Sequence, residues 1–273
     1  MLERAVALQT ARSYLFVPGH RPDRFDKAVG AGADAVIIDL EDAVPPEYKA
    51  AARYALAAWL SPERPVLVRI NGAGSEAFEE DLRLCSMPGV AGIVLPKAGT
   101  QDGPILNRCV SAGMAIFPLI ETAQGVWHAR ALAETPGVQR LMFGSIDLQV
   151  DLDMDADEDD LLYFRSHLVL VSRLAGLPSP VDGVSTVIDD VEQLRADTLR
   201  ARRLGFGAKL CIHPRQVGCV HAALSPSGQD LAWATRIVAA ADAARQGAVA
   251  VDGKMVDLPV IRKAQRILSS SRS

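Results

Sequence analysis

The sequence predicts an α/β protein, a single (β/α)8 barrel with a C-terminal helical extension, and three observations carry that prediction. Eight short apolar runs recur along the 273 residues. Each run ends in a polar or Gly/Pro residue and leads into a stretch of helical periodicity. No Gly-x-Gly-x-x-Gly turn follows the first run, where an open doubly wound sheet would carry its phosphate loop; Pro18-Gly19-His20 stands there instead.

The runs are YLFVPG from Tyr14, AVIIDLED from Ala35, VLVRIN from Val66, GIVLPK from Gly92, AIFPLIET from Ala115, LMFGSIDL from Leu141, PVDGVS from Pro180 and AKLCIHP from Ala208. Their starts lie about 20 to 40 residues apart, the length a strand needs to run up and return through a helix. They are apolar at nearly every position rather than at alternate ones, as parallel strands covered on both faces should be. Helices are expected over residues 24–33, 47–60, 76–85, 126–134, 161–175 and 191–204. An Ala-rich helix over 229–245 and a tail, VDGKMVDLPVIRKAQRIL from Val251, follow the eighth run and are not needed to close a barrel. The expected organisation is a barrel over 1–225 and a helical extension over 226–273.

Composition narrows the function classes. A net charge of -4, from 29 basic and 33 acidic residues spread along the chain, makes no field that would recruit nucleic acid or an anionic membrane. The four cysteines (Cys85, Cys109, Cys211, Cys219) form no CxxC pair and no zinc-spaced cluster, so they read as reduced core residues. The first residues lack the basic start and long apolar run of a signal peptide, and no stretch approaches the ~20 apolar residues of a membrane span. The cytoplasm is the expected compartment. The acidic run DLDMDADEDD from Asp151 opens with calcium-loop spacing. It has Ala156 where that loop needs Gly and Leu162 where it needs a bidentate Glu, so it reads as a solvated loop.

In (β/α)8 enzymes the chemistry sits where the strands end, because the βα loops converge there on one mouth. Those ends carry Asp39, Glu41 and Asp42 (second), Arg69 and Asn71 (third), Lys97 (fourth), Glu121 and Thr122 (fifth), Asp147 (sixth), Asp182 (seventh) and His213 (eighth). So many acids around Arg69 and Lys97 would repel one another unless protons or a cation intervened. A divalent cation resolves the conflict. Ligands offering only oxygen point to Mg²⁺, with Mn²⁺ as the alternative, held by Glu121 and Asp147 at the ends of neighbouring strands. Lys97 could instead form a Schiff base, but a carboxylate-rich mouth fits a metal enzyme better.

The strings RSYLFVPG, IIDLEDAV, VRIN, LPK, LIETAQG, FGSIDLQVDL, VDGVS, KLCIHPRQ and GKMVDLPV, in this order from about Arg12 to Leu268, resemble the citrate lyase beta subunit family, which includes malyl-CoA, citramalyl-CoA and citryl lyases and malyl-CoA thioesterases. The resemblance implies a (β/α)8 barrel assembled as a homotrimer, or as a hexamer of paired trimers. It implies an enzyme that cleaves a β-hydroxyacyl thioester, on coenzyme A or an acyl-carrier protein, into an acetyl thioester and a 2-keto acid. A thioesterase, or a subunit acting on a carrier-bound citryl group, are the alternatives. Glu121 and Asp147 would then bind Mg²⁺, Arg69 would grip the keto-acid carboxylate, and Glu41 and Asp42 would hold metal-bound waters. Phe16, Arg21, Lys27 and the backbone near Ile212 and His213 would line the coenzyme A arm. Asp257 of GKMVD would reach a neighbouring subunit's site from the C-terminal extension, as a lid, and act as the base. Read from the residues alone, Asp257 before Leu258-Pro259 is also an ordinary helix N-cap. Two departures from the family pattern stand out: Asp23, where a basic residue often serves the coenzyme, and Ser145-Ile146 ahead of Asp147.

Overall fold

A computed structural model describes residues 8–156, 159–243 and 249–270. Eight parallel strands close into a barrel in sequence order, with β1 paired to β8. They are β1 Ser13–Pro18, β2 Ala35–Asp39, β3 Val66–Arg69, β4 Val90–Leu95, β5 Ile116–Ile120, β6 Met142–Phe143, β7 Val181–Asp182 and β8 Ala208–Cys211. Every strand contributes to one buried cluster, among them Tyr14, Ile37, Leu67, Val94, Phe117, Met142, Val181 and Leu210. The alternate residues, such as Leu15, Ile38, Val68, Ile93 and Ile120, are equally buried against the surrounding helices. Burial on both faces is why the runs are continuously apolar, and the filled interior makes the barrel a packed core with a mouth rather than a pore.

Strand register places the functional positions. Asp39 pairs with Arg69 across β2 and β3, and Ile120 pairs with Phe143 across β5 and β6. The residues just beyond the second pair, Glu121 and Gly144, are therefore neighbours at the rim. The sixth run departs from expectation. Its strand stops at Phe143, and Ser145–Asp151 is a helix. Ser145 and Leu148, one turn apart, are its buried positions, so the segment follows a helical period rather than a strand's. Asp147 thus sits in the first turn of a helix and not at a strand end.

The helices Leu162–Leu174 and Val191–Leu204 match expectation closely, while the helix expected over 126–134 is two, Ala123–Trp127 and Ala129–Ala133, parted at His128. Helices Gly103–Ser111 and Pro214–Leu224 were not expected, and both carry a proline in the first turn, where its missing N–H costs nothing. Within the acidic run, residues 157–158 lie outside the described residues. Asp151 is exposed as expected but ends its helix rather than lying in the loop, and it accepts a hydrogen bond from the Ala123 amide at 2.7 Å. No helix among the described residues is long and apolar enough to cross a membrane.

The chain divides into two compact units, Met1–His221 and Ala222–Ser273. In the second, helices Gly228–Ala243 and Leu258–Ser270 pack around Ala234, Ile237, Val256 and Ala264. Between them lies a hairpin, β9 Val249–Val251 and β10 Lys254–Val256, which the sequence reading missed. Its turn is Asp252-Gly253 with φ of 53° and 74°, the left-handed pair that a two-residue hairpin requires and that the Asp-Gly dipeptide signals.

Beneath the mouth, Asp182 accepts from Arg165 Nε at 2.8 Å and Lys209 Nζ at 3.2 Å, and all three side chains are almost fully buried. Burial alone would push the Asp182 carboxyl up, but Lys209 and Arg165 more than offset it and hold the group below the usual carboxylate range. This acid is structural. An Asp182→Asn substitution leaves two cations buried against a neutral amide and is expected to cost about 3 to 5 kcal/mol in chemical denaturation. A loss near zero would show that the charges are answered elsewhere.

Candidate active site

At the C-terminal ends of the strands lies a cavity of about 200 Å³. Its walls include Phe16, Leu119, Phe143, Val184, Leu210 and Ile212, and its charged residues are Asp39, Arg69, Glu121 and Asp147. An apolar cup with a few convergent charges is the usual form of a small-molecule site.

Arg69 is held from one side. Its Nε and one terminal nitrogen donate to both oxygens of Asp39 at 2.7 and 2.6 Å, while the other terminal nitrogen lies 3.0 Å from Glu41 Oε2. Asp39 is itself fixed by the amides of Glu41 and Ala43 at 2.9 and 3.1 Å. Burial opposes the Arg69 charge, but Asp39, then Glu41 and Glu121, hold it firmly protonated. The guanidinium lies 5.0 Å from the Phe16 ring, so the aromatic face flanks it without taking a hydrogen-bond donor.

Lys97 follows β4, the strand next to that of Arg69. Its ammonium donates to Glu41 Oε1 at 2.5 Å and Asp42 Oδ2 at 3.0 Å. Burial would lower its pKa, yet Glu41 and Asp42 raise it, so the amine is a fixed cation and not the neutral nucleophile that a Schiff base needs. Behind this loop, Asn71 Nδ2 bridges Leu40 O (2.8 Å) and Asp81 Oδ2 (2.6 Å), so Asn71 is a strut and does not reach the cavity.

With these pairs made, the expected surplus of acids shrinks. Asp39, Glu41 and Asp42 are answered by Arg69 and Lys97, and Asp182 by Arg165 and Lys209. Among the described residues, Glu121 and Asp147 are in no ion pair. Glu121 is 1% exposed. Its Oε1 accepts the Lys97 amide at 2.7 Å, while its buried Oε2 has no hydrogen-bond partner. Burial first, and the Asp147 charge second, push its carboxyl up to about 8. A Cβ on Gly144 would collide with the Glu121 side chain, so glycine is what lets this acid project into the mouth. A desolvated, unpartnered carboxylate oxygen beside a second carboxylate is a donor set that fits a divalent cation completed by water and substrate oxygens. Among the described residues no group of three or more His, Cys, Asp or Glu could hold a metal.

The structure thus brings Phe16, Arg69, Glu121, Asp147 and Ile212 together around one cavity, with Glu41 and Asp42 beside it. Arg21 and Lys27 lie on the segment after β1, with Lys27 exposed and Arg21 gripping Asp23 through two bonds of 2.9 and 2.8 Å. The amides of Ile212 and His213 both donate to Gln216 Oε1, at 2.9 and 3.3 Å. Gln216 is anchored by Ser185 O at 2.8 Å. Any contact with a ligand at this strand end therefore falls to side chains and carbonyls. Asp257 precedes helix Leu258–Ser270 in the second unit and accepts from the Val260 amide at 3.4 Å, as an N-cap does. Asp39 and Lys97, which are central to this geometry, were legible only as charges at strand ends.

Residues 12–214 match the family model for HpcH/HpaI aldolase/citrate lyase. The citrate lyase subunit beta-like protein of Deinococcus radiodurans is 40% identical, over 94% of this chain and 96% of its own length. The (3S)-malyl-CoA thioesterase of Cereibacter sphaeroides is 33% identical, over 96% of this chain and 95% of its own. Among solved structures, CitE from Mycobacterium tuberculosis in complex with magnesium, acetoacetate and coenzyme A superposes with a TM-score of 0.86 at 35% identity, covering 97% of this chain and 100% of that one. Because the match runs from the first strand past the last and extends to relatives of nearly equal length, the chain belongs to the HpcH/HpaI aldolase/citrate lyase family.

Proposed function

We propose that this chain is a Mg²⁺-dependent carbon–carbon lyase that cleaves a β-hydroxyacyl thioester of the malyl, citramalyl or citryl type into an acetyl thioester and a 2-keto acid. The observation that carries the reading is the buried, unpartnered Oε2 of Glu121 facing the same cavity as Asp147. Magnesium and coenzyme A bound to the structurally similar M. tuberculosis protein support it.

Glu121 and Asp147 would hold Mg²⁺, which would supply Lewis-acid polarisation at the substrate hydroxyl. Asp39 occupies one edge of the Arg69 guanidinium, and the substrate carboxylate would be bound and oriented at the terminal nitrogen that Glu41 faces at 3.0 Å, displacing Glu41 or sharing that nitrogen with it. The apolar walls exclude water from the breaking bond. Asp257, brought from a neighbouring subunit of a trimer or hexamer, removes the methyl proton of the acetyl thioester in the condensing direction. In cleavage the hydroxyl gives its proton to solvent as the carbon–carbon bond breaks to ketone and enolate, and protonated Asp257 delivers its own proton to the enolate carbon. The (3S)-malyl-CoA thioesterase named above favours one second reading, hydrolysis of the thioester by the same constellation.

Purified protein with Mg²⁺ is expected to release glyoxylate, pyruvate or oxaloacetate from malyl-, citramalyl- or citryl-CoA, and EDTA to stop the release. Free thiol and hydroxy acid without keto acid would select the thioesterase. Turnover of none of the three CoA thioesters would reject the lyase as a free-coenzyme enzyme and leave a subunit serving a carrier protein.

Glu121 links pH to both metal binding and stability. Its carboxyl, at about 8 in the fold against 4.5 ordinarily, keeps its proton where the unfolded chain has lost it. Its contribution to stability is therefore complete below about 4.5 and falls as pH rises to about 8. Metal must displace that proton, so apparent Mg²⁺ affinity is expected to rise about tenfold per pH unit up to about 8 and level off above. Glu121→Gln should raise stability in EDTA at pH 8 by about 2 to 4 kcal/mol while abolishing Mg²⁺ binding. A destabilised variant that still binds Mg²⁺ would remove Glu121 from the site.

Asp257→Asn keeps a good N-cap while removing the base. It is expected to fold and bind Mg²⁺ normally yet lose about 10² to 10⁴ in turnover. Unchanged turnover would leave Asp257 with the cap alone.

A further inference from the structure

Two halves of the mouth meet at Lys97. It stands two residues past β4 with φ of 47°, a left-handed conformation costly for a residue with a Cβ. In that conformation its amide meets Glu121 Oε1 at 2.7 Å, while its ammonium reaches Glu41 and Asp42 beyond the end of β2. Glu41 in turn faces Arg69 at 3.0 Å. A single strained residue therefore touches the acid proposed to hold metal and the counter-charge of the arginine proposed to hold substrate.

From these contacts we infer that Lys97 is a positioning residue with two separable tasks: its backbone turns the second oxygen of Glu121 into the cavity, and its ammonium neutralises Glu41 so that Arg69 keeps an edge for a substrate carboxylate. The inference rests on the proposed reading of the mouth as a site for a divalent cation and a carboxylate.

The charges fix the sign of each effect. Asp39, Glu41 and Asp42 face Arg69 and Lys97, so removing the ammonium leaves Arg69 alone against three acids. Glu41 is buried, and its Oε2 makes no hydrogen bond. Without Lys97 the cation left to it is Arg69, whose terminal nitrogen already lies 3.0 Å away and is then held by the full Glu41 charge. An incoming carboxylate then meets a committed arginine in a more negative mouth. A divalent cation at Glu121 and Asp147 experiences the same added negative charge as attraction. Loss of the ammonium therefore moves the two affinities in opposite directions, whereas general loosening of the mouth would weaken both.

Calorimetric titration of the full-length chain, first with Mg²⁺ and then with pyruvate at saturating Mg²⁺, separates these cases. Lys97→Met and Lys97→Gly are expected to weaken pyruvate by about tenfold or more while Mg²⁺ binds as well as before or more tightly. Glycine adopts φ of 47° without strain, so that variant folds with the amide to Glu121 intact. Lys97→Arg should restore pyruvate binding. Lys97→Val, whose branched Cβ resists the left-handed backbone, should weaken Mg²⁺ as well. Met and Gly variants that bind pyruvate as the unaltered chain does, or that lose both ligands together, would overturn the ammonium's role. A Val variant with undiminished Mg²⁺ affinity would overturn the backbone's role. In each of these cases the proposed function stands. If the unaltered chain bound neither Mg²⁺ nor pyruvate, the proposed function would fall and the inference with it.

Discussion

The mouth of this barrel is arranged around one desolvated carboxylate. Glu121 leaves β5 with one oxygen satisfied by a backbone amide and the other without a hydrogen-bond partner among the described residues. Burying such a group is unfavourable, and the fold accepts further local cost to do it. Lys97 adopts a left-handed backbone to supply the amide, and the neighbouring strand end must be Gly144 to leave room. Two adjacent deviations that serve the same side chain are the pattern expected where a protein gives up stability for a site.

The surrounding charges show what a purely structural solution looks like. Asp182 is buried as deeply as Glu121, but two cations hold its carboxyl down in the ionised range. Asp81, also inaccessible, accepts from Asn71 and Arg53. Asp39 takes both donors of one Arg69 edge and two amides of its own loop. In each case the cost of burial is met by partners within the chain. Glu121 and Asp147 differ because no cation among the described residues forms an ion pair with them, and although Arg69 draws the Glu121 carboxyl down, burial and the Asp147 charge push it the opposite way from that of Asp182.

Much of this was legible in the sequence. All eight strands fall within the apolar runs or overlap them, because burial on both faces leaves an unbroken apolar signature. The charges that end those runs mark the mouth. What periodicity could not show was where β6 stops, since Met142-Phe143 and the following Ser145-Ile146-Asp147-Leu148 form one mixed stretch whose helical half declares itself only through the burial of Ser145 and Leu148. The helix Gly103–Ser111 was hidden by Gly99, Gly103 and Pro104, which read as a loop although a proline in a first turn is also a helix start. The hairpin turn Asp252-Gly253 carried a plain signal that the strong helical reading of the tail obscured.

Pairing is the level that sequence order conceals. Lys97 beside Pro96 could be a Schiff-base lysine, a reading the carboxylate-rich mouth disfavours, and the local sequence does not name the acid that settles it. That acid, Glu41, lies 56 positions away and reaches Lys97 only because β2 and β4 end at the same rim. An amine held between two carboxylates is a charge, and a charge in that place acts on whatever Arg69 is to bind. The chemistry open to this lysine is thus set by barrel closure, which brings distant strand ends to one mouth and assigns each charge its partner.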